Sequence, residues 1–283
     1  MDITKYLDTW AAAYRNDLIE NIMPFWMKFG LDRKHGGIYT CLDRDGKLMD
    51  STKSVWFQGR FGFIASYAYN HIEKKQEWLA ASKSCIDFIE THCTDIDGHL
   101  FFEVTEEGIP LRKRRYVFSE CFAAIAMSEY AIASGDKSYA TKALEIFKRT
   151  LKFLSTPGFL EPKYLPTLQS RGHSITMILI NTASRIREVI EDPVLDRQIN
   201  ESLTSIRQYF MHPEFKALLE MVGPKGELID TCNGRTINPG HCIETSWFIM
   251  EEARHRNWDK DLVQLALQIL DWSWEWGWDK EYG

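Results

Sequence analysis

The chain has 283 residues, 45% hydrophobic and 26% charged, with 34 Lys and Arg against 40 Asp and Glu for a formal net charge of −6. A chain of that size buries enough apolar surface to fold without staples. The acidic balance offers no basic stripe to a nucleic-acid backbone, and no run approaches eighteen consecutive apolar residues, so no membrane span is expected.

Apolar residues recur at spacings of three and four over long windows, which is the helical signal. In chain order the pattern predicts helices over 3–29, 52–74, 76–92, 117–134, 138–155, 171–191, 193–211, 241–256 and 259–276. Strand-like alternation is scarce. GGIYTCLDRDGKL (36–48) predicts a hairpin turning at Asp45-Gly46, and GHLFFEVTEEGIPL (98–111) predicts another. No Ser/Pro-rich linker divides the chain, so 1–283 is read as a single helical domain with short β excursions. Successive helices taken in pairs suggest an α/α toroid, in which an outer ring packs around an inner one. Residues 30–36 (GLDRKHG) and 277–283 (GWDKEYG) share the pattern G-x-D-x-x-x-G. A closed ring of six pairs needs twelve helices, so the ring is expected to be incomplete at the C-terminal side.

The six cysteines include no C-x-x-C pair, and several fall inside apolar helical patterns. Reduced, buried thiols in a cytoplasmic protein are the expectation. The opening MDITKYLDTW lacks a basic stretch followed by an apolar run, so no signal peptide is expected. Arg112–Arg115 (RKRR) reads as a solvated loop edge. His35, His71, His92, His99, His212 and His255 read as surface residues. H-E-x-x-H, G-x-S-x-G, G-x-G-x-x-G and the P-loop pattern are all missing, which leaves zinc hydrolase, serine hydrolase and nucleotide-fold readings without support.

The inner-ring helix starts carry the chemistry. Helix two brings Trp56, Gln58 and Arg60; helix four brings Tyr116, Ser119 and Glu120; helix six brings Arg171, His173 and Asn181; helix eight brings His241, Glu244 and Trp247. Four polar sets at equivalent positions of apolar segments point to one shared polar pocket, with cores satisfied locally as the alternative. In INPGHCIETSW (237–247), Pro239-Gly240 turns the chain and sets His241 at a helix N-terminus. The dipole there disfavours imidazolium, which keeps the ring neutral and able to accept a proton. Glu244, three residues on, shares that face and can hold the ring or bind a hydroxyl; Trp247 extends it with a flat apolar surface. A glycosidase would need two carboxylates, and nothing selects Glu120 and Glu244 for that task.

GGIYTCLDRDGK, KSVWFQGRFGF, RYVFSECFAAIAMSEYA, HSITMILIN and NPGHCIETSWFIMEEA, in that order from about residue 26 onward, resemble the N-acylglucosamine 2-epimerase family, also called the renin-binding protein family. The resemblance implies an (α/α)6 barrel and epimerisation at C2 of an aldose, with N-acyl-D-glucosamine and N-acyl-D-mannosamine as the substrate pair. A mannose/glucose epimerase, an aldose-ketose isomerase, or a sugar-binding barrel without turnover are the alternatives. By the resemblance, His241 is the first of two proton-transferring histidines, Arg60 steadies the oxyanion, Glu244 joins them, and Trp56, Tyr116, Glu120, His173, Asn181 and Trp247 bind substrate. No position matches the family's second histidine. The resemblance implies no required cofactor or metal, ATP as an allosteric activator, and a small sugar and a second copy of the chain as partners.

Overall fold

The computed structural model describes residues 2–113, 116–161 and 164–283. They divide into two compact units, Met1–Lys152 and Phe153–Gly283, where the sequence reads as one domain. Among the described residues nine α-helices are longer than one turn, close to the nine expected spans. No helix is long and apolar enough to cross a membrane among the described residues.

Unit 1 starts with α1 (Ile3–Asp17), capped by Asp2, whose carboxylate accepts from the Thr4 and Lys5 N–H groups. The helix runs on through π-helical turns at Leu18–Ile22 and Trp26–Gly30 on either side of the short α2 (Met23–Phe25). Asp32 then makes a tight turn. Its Oδ1 accepts from the N–H groups of Lys34 and His35, and its backbone O accepts from Gly36 N–H. Gly36 has φ +84°, a conformation open to glycine and costly to most side chains. The hairpin β1 (Cys41–Leu42) and β2 (Leu48–Asp50) closes at Asp45-Gly46, as the sequence predicts. A three-stranded sheet pairs β3 (Lys53–Ser54) with β4 (Glu103–Val104), and β4 with β5 (Pro110–Arg112).

Two helices, α3 (Val55–His71) and α4 (Gln76–His92), pack on each other, and α3 also packs along α5 (Phe118–Ser134). Small residues bring them close. Ser66 Oγ donates to Ser82 Oγ at 2.7 Å, and Ser82 Oγ donates to Gly62 O at 2.7 Å. A Cβ built on Gly59 would lie 2.6 Å from the Phe122 carbonyl carbon, so α3 and α5 touch through backbone there. α5 is buried from Ser119 to Ala131, as a helix apolar on all sides requires. Met23, Ala65, Ala68 and Trp78 form a further core patch. The unit closes with α6 (Ser138–Ser155), whose last residues belong to unit 2.

One ion pair pins the loops. Lys53 is fully buried, and its Nζ donates to Asp32 Oδ2 at 2.7 Å, Gly36 O at 2.8 Å and Glu106 O at 2.8 Å. Its ammonium lies 4.3 Å from the Phe88 ring centroid. Gln58 works similarly on Ile38, accepting from its N–H at 2.8 Å and donating to its O at 2.6 Å, as a neighbouring strand would.

Unit 2 holds β6 (Arg171–Gly172), α7 (His173–Arg187) and α8 (Pro193–Ser205), the last started by Asp192 with Pro193 at the first helical position. The helix expected to reach residue 211 runs on through a π turn at Ile206–Phe210 and stops there. Residues 211–222 hold strands that the sequence does not announce. β7 (Met211–His212) pairs with β8 (Ala217–Leu218), and β9 (Met221–Val222) pairs back with β6. Then come α9 (Pro239–His255) and α10 (Lys260–Gly277), with α9 packed on both α7 and α10.

The G-x-D-x-x-x-G match recurs as structure. Asp279 Oδ1 accepts from the Glu281 and Tyr282 N–H groups, and its O accepts from Gly283 N–H, repeating the Asp32 turn bond for bond.

Two readings are corrected. His99 and His212, expected at the surface, are 3% and 7% exposed. His99 Nε2 donates to the Tyr116 carbonyl, and His212 Nδ1 lies 3.0 Å from Glu214. Arg112 and Lys113 of the basic cluster are exposed, as a solvated loop edge requires, and Lys113 reaches Asp95 and Asp97 at 2.6 Å each; Arg114 and Arg115 lie outside the described residues. Finally, Asn238 caps α9 and Gly240 sits inside the helix, so the chain turns at the asparagine instead of the glycine.

Candidate functional site

In unit 1 the starts of α3 and α5 meet in an aromatic cluster. The Trp56 ring lies 5.3 Å from Phe102, 5.2 Å from Phe118 and 5.9 Å from Phe122. Arg60, one turn on, holds its guanidinium 4.4 Å over the Phe122 ring. Arg60 is exposed. Tyr116 joins through an edge contact with Phe118 at 6.4 Å.

Glu120 takes a different place from the one expected. It is fully buried, and its Oε1 accepts from the Leu100 N–H at 2.6 Å. It cannot touch a sugar from there. Burial pushes its carboxyl up to about 7, against the lowering effect of the Leu100 bond. His99 Nε2 lies 3.4 Å from the same oxygen, and burial holds that imidazole below its ordinary value.

In unit 2 the starts of α7 and α9 meet. Asn238 Oδ1 accepts from the His241 N–H at 3.2 Å, and the Thr245 hydroxyl donates to the His241 carbonyl at 2.8 Å. The ring is held by a residue the sequence does not single out: His241 Nδ1 lies 2.9 Å from Glu220 Oε2. Glu220 sits between β8 and β9, with its backbone bonded to His173 N–H and Thr236 O. His173 Nδ1 is 3.8 Å from the same carboxylate oxygen, and its Nε2 lies 3.0 Å from Thr245 Oγ1.

This arrangement reverses one electrostatic expectation. The helix terminus was expected to keep His241 neutral, yet the Glu220 hydrogen bond raises its pKa above the ordinary value, with Glu244 adding to it, against desolvation. A full charge in contact outweighs the fractional charge of a helix end. Glu220 responds in the opposite sense: burial would raise it, but the two imidazoles bring it down to about 2. Glu244 therefore acts on His241 through its charge, while Glu220 holds the ring.

The remaining expected residues separate. His173 is fully buried, so it supports the cluster and cannot bind substrate directly. Asn181 and Trp247 line a groove of about 390 Å³ with Arg185, Glu251 and His255. Neither His173 nor His241 lines it, because six residues turn Trp247 away from the His241 face. Glu220 carries no motif signal; only the pairing of β6 with β9 brings it to the histidines.

A sequence model of the N-acylglucosamine 2-epimerase (GlcNAc 2-epimerase) family matches residues 37–283. The chain belongs to this family. Rattus norvegicus N-acylglucosamine 2-epimerase is 28% identical over 285 residues, covering 98% of this chain and 68% of that protein. The chain thus spans about two thirds of the rat relative. The cellobiose 2-epimerase of Ruminococcus albus is 31% identical, but over 48% of this chain and 35% of its own length. Among solved structures, cellobiose 2-epimerase from Bacillus thermoamylovorans B4167 superposes with a TM-score of 0.83 at 21% identity, covering 95% of this chain and 72% of that one. The fold is therefore of the α/α-barrel class that the helix pairing implies.

Proposed function

We propose that this chain carries the proton-abstracting part of an N-acyl-D-glucosamine 2-epimerase, acting on the open-chain sugar. The observation that carries the reading is His241, whose Nδ1 is engaged by Glu220 while Nε2 has no partner among the described residues. Its family match runs along nearly the whole chain with an N-acylglucosamine relative and along half with a cellobiose relative.

A proton α to a carbonyl is weakly acidic, so its removal needs a placed base and stabilisation of the oxygen that receives the electron pair. His241 Nε2 takes the C2 proton. The C2–H electron pair forms the C1–C2 double bond, and the carbonyl pair moves to the C1 oxygen. Arg60, charged at any workable pH, is the residue we assign to that oxyanion on the family resemblance. Return of a proton to the opposite face of C2 completes epimerisation, and we assign that step to no residue of this chain.

Incubation with N-acetylmannosamine in deuterated water, read by proton NMR, tests the assignment. The C2 hydrogen is expected to exchange, and His241→Ala, folded by circular dichroism, is expected to abolish exchange. Exchange on mannose alone would move the substrate to the simple hexoses. Full activity in His241→Ala would remove the base from its role.

A further inference from the structure

We infer that Glu220 is a positioning residue for His241: its carboxylate holds the Nδ1–H of the ring and thereby presents Nε2 as the lone pair. The inference rests on the reading of His241 as the base and adds the group that fixes its tautomer.

The geometry supports it in three ways. First, the contact is short and made by a half-buried carboxylate, Nδ1 to Oε2 at 2.9 Å. An ionised carboxylate only accepts, so Nδ1 must donate and carry the proton. An isolated imidazole prefers its proton on Nε2, so the site inverts the ordinary preference.

Second, the backbone that carries the carboxylate is fixed and its neighbours are ordered around it. Thr245 donates its hydroxyl proton to His241 O at 2.8 Å, so its oxygen must accept from His173 Nε2–H at 3.0 Å. His173 therefore aims Nδ1 at Glu220, 3.8 Å from the same Oε2, and that nitrogen is buried without a hydrogen-bond partner. The Glu220 backbone is tied on both sides, accepting from His173 N–H at 3.0 Å and donating to Thr236 O at 3.1 Å. His241 is thus gripped at its N–H by Asn238, at its carbonyl by Thr245 and at its ring by Glu220.

Third, the charges that face the ring agree in sign. Glu220 reaches it from the β8–β9 turn and Glu244 from α9 itself, while His173 on α7 faces Glu220. When Nε2 takes the substrate proton, the imidazolium finds its counter-charge in place and no group has to move. The carboxylate keeps its own charge, as its low titration range requires.

Nitrogen-15 NMR on histidine-labelled protein reads the tautomer directly and needs no turnover. Above its titration, His241 in the wild type is expected as the Nδ1–H form. Glu220→Ala is expected to return it mainly to the Nε2–H form. Glu220→Gln, which keeps the shape, is expected to move the His241 titration about one pH unit or more toward acid. In the exchange assay Glu220→Gln is expected to lower kcat about tenfold or more with KM little changed, and to move the limb of the pH profile in the same direction. A wild-type His241 protonated on Nε2 would overturn the inference, as would an unchanged tautomer in Glu220→Ala or an unchanged titration in Glu220→Gln. A wild type with the stated tautomer but no C2 exchange would sink the proposed reaction and leave the positioning role standing.

Discussion

Lys53→Met should be among the most damaging single changes in unit 1 outside its helices. The ammonium is fully buried and makes three hydrogen bonds, to the Asp32 carboxylate and to the carbonyls of Gly36 and Glu106. Methionine keeps an apolar stem of similar length and loses the ammonium that lies 4.3 Å from the Phe88 ring centroid, so the loss is chiefly polar. What remains is a buried Asp32 carboxylate, still bonded to two N–H groups but without its counter-charge, and two carbonyls without donors. Removing one partner of a buried pair costs about 3–5 kcal/mol. Each orphaned carbonyl would add about 1 kcal/mol if water could not reach it. The expected loss is therefore about 3–5 kcal/mol where water reaches both carbonyls and about 5–7 kcal/mol where it reaches neither, read as a lower midpoint at unchanged slope in urea denaturation followed by circular dichroism. Asp32→Asn with Lys53→Met should recover part of it, because neither side is then left charged. A loss under about 1 kcal/mol in the single variant would refute the reasoning. So would a double variant less stable than the single one by the full cost of a lone Asp32→Asn.

Glu120 gives a pH signature of its own. Its folded-state value of about 7 lies above the ordinary 4.5, so between these values the native state holds more protons than the unfolded one. Its contribution to stability is thus largest below the lower value and falls as pH rises toward the upper one; Glu120→Gln should flatten that slope in melting curves, and an unchanged slope would contradict the assignment. Gly59→Ala should cost about 1–3 kcal/mol, because the new methyl meets the Phe122 backbone at 2.6 Å and must force α3 from α5; wild-type urea stability would show that the helices part freely. Arg60→Met should lower C2 exchange about 10²–10³-fold with the fold intact, and a smaller effect on kcat would detach Arg60 from the oxyanion.

The helices were legible because apolar residues recur along them at helical spacing, and the Asp45-Gly46 hairpin because its turn needs a glycine at positive φ. What could not be read were features made by distant pairing. The strands between Met211 and Val222 are two residues each, too short to show alternation. Glu220 lies among them, so the residue that sets the His241 tautomer is visible only once β9 lies beside β6. His99 misled for a related reason: a polar side chain in a loop reads as exposed, but the Tyr116 carbonyl satisfies it inside. Trp247 was misplaced by carrying a three-residue step twice, which drifts around the helix. The G-x-D-x-x-x-G match was the reverse case, a thin pattern whose two aspartates build the same turn.

The cysteines make the molecule its own stopwatch. Cys41 and Cys232, one in each unit, are exposed, while Cys85, Cys93 and Cys121 in unit 1 and Cys242 in unit 2 are buried. Burial raises the thiols of Cys93 to about 12 and of Cys242 to about 11, and raises Cys85 as well, so the reactive thiolate is scarce until the surrounding helices open. An alkylating reagent would mark one prompt site per unit, then tick at the delayed sites at the rate each half breathes, and peptide mass would tell the two clocks apart.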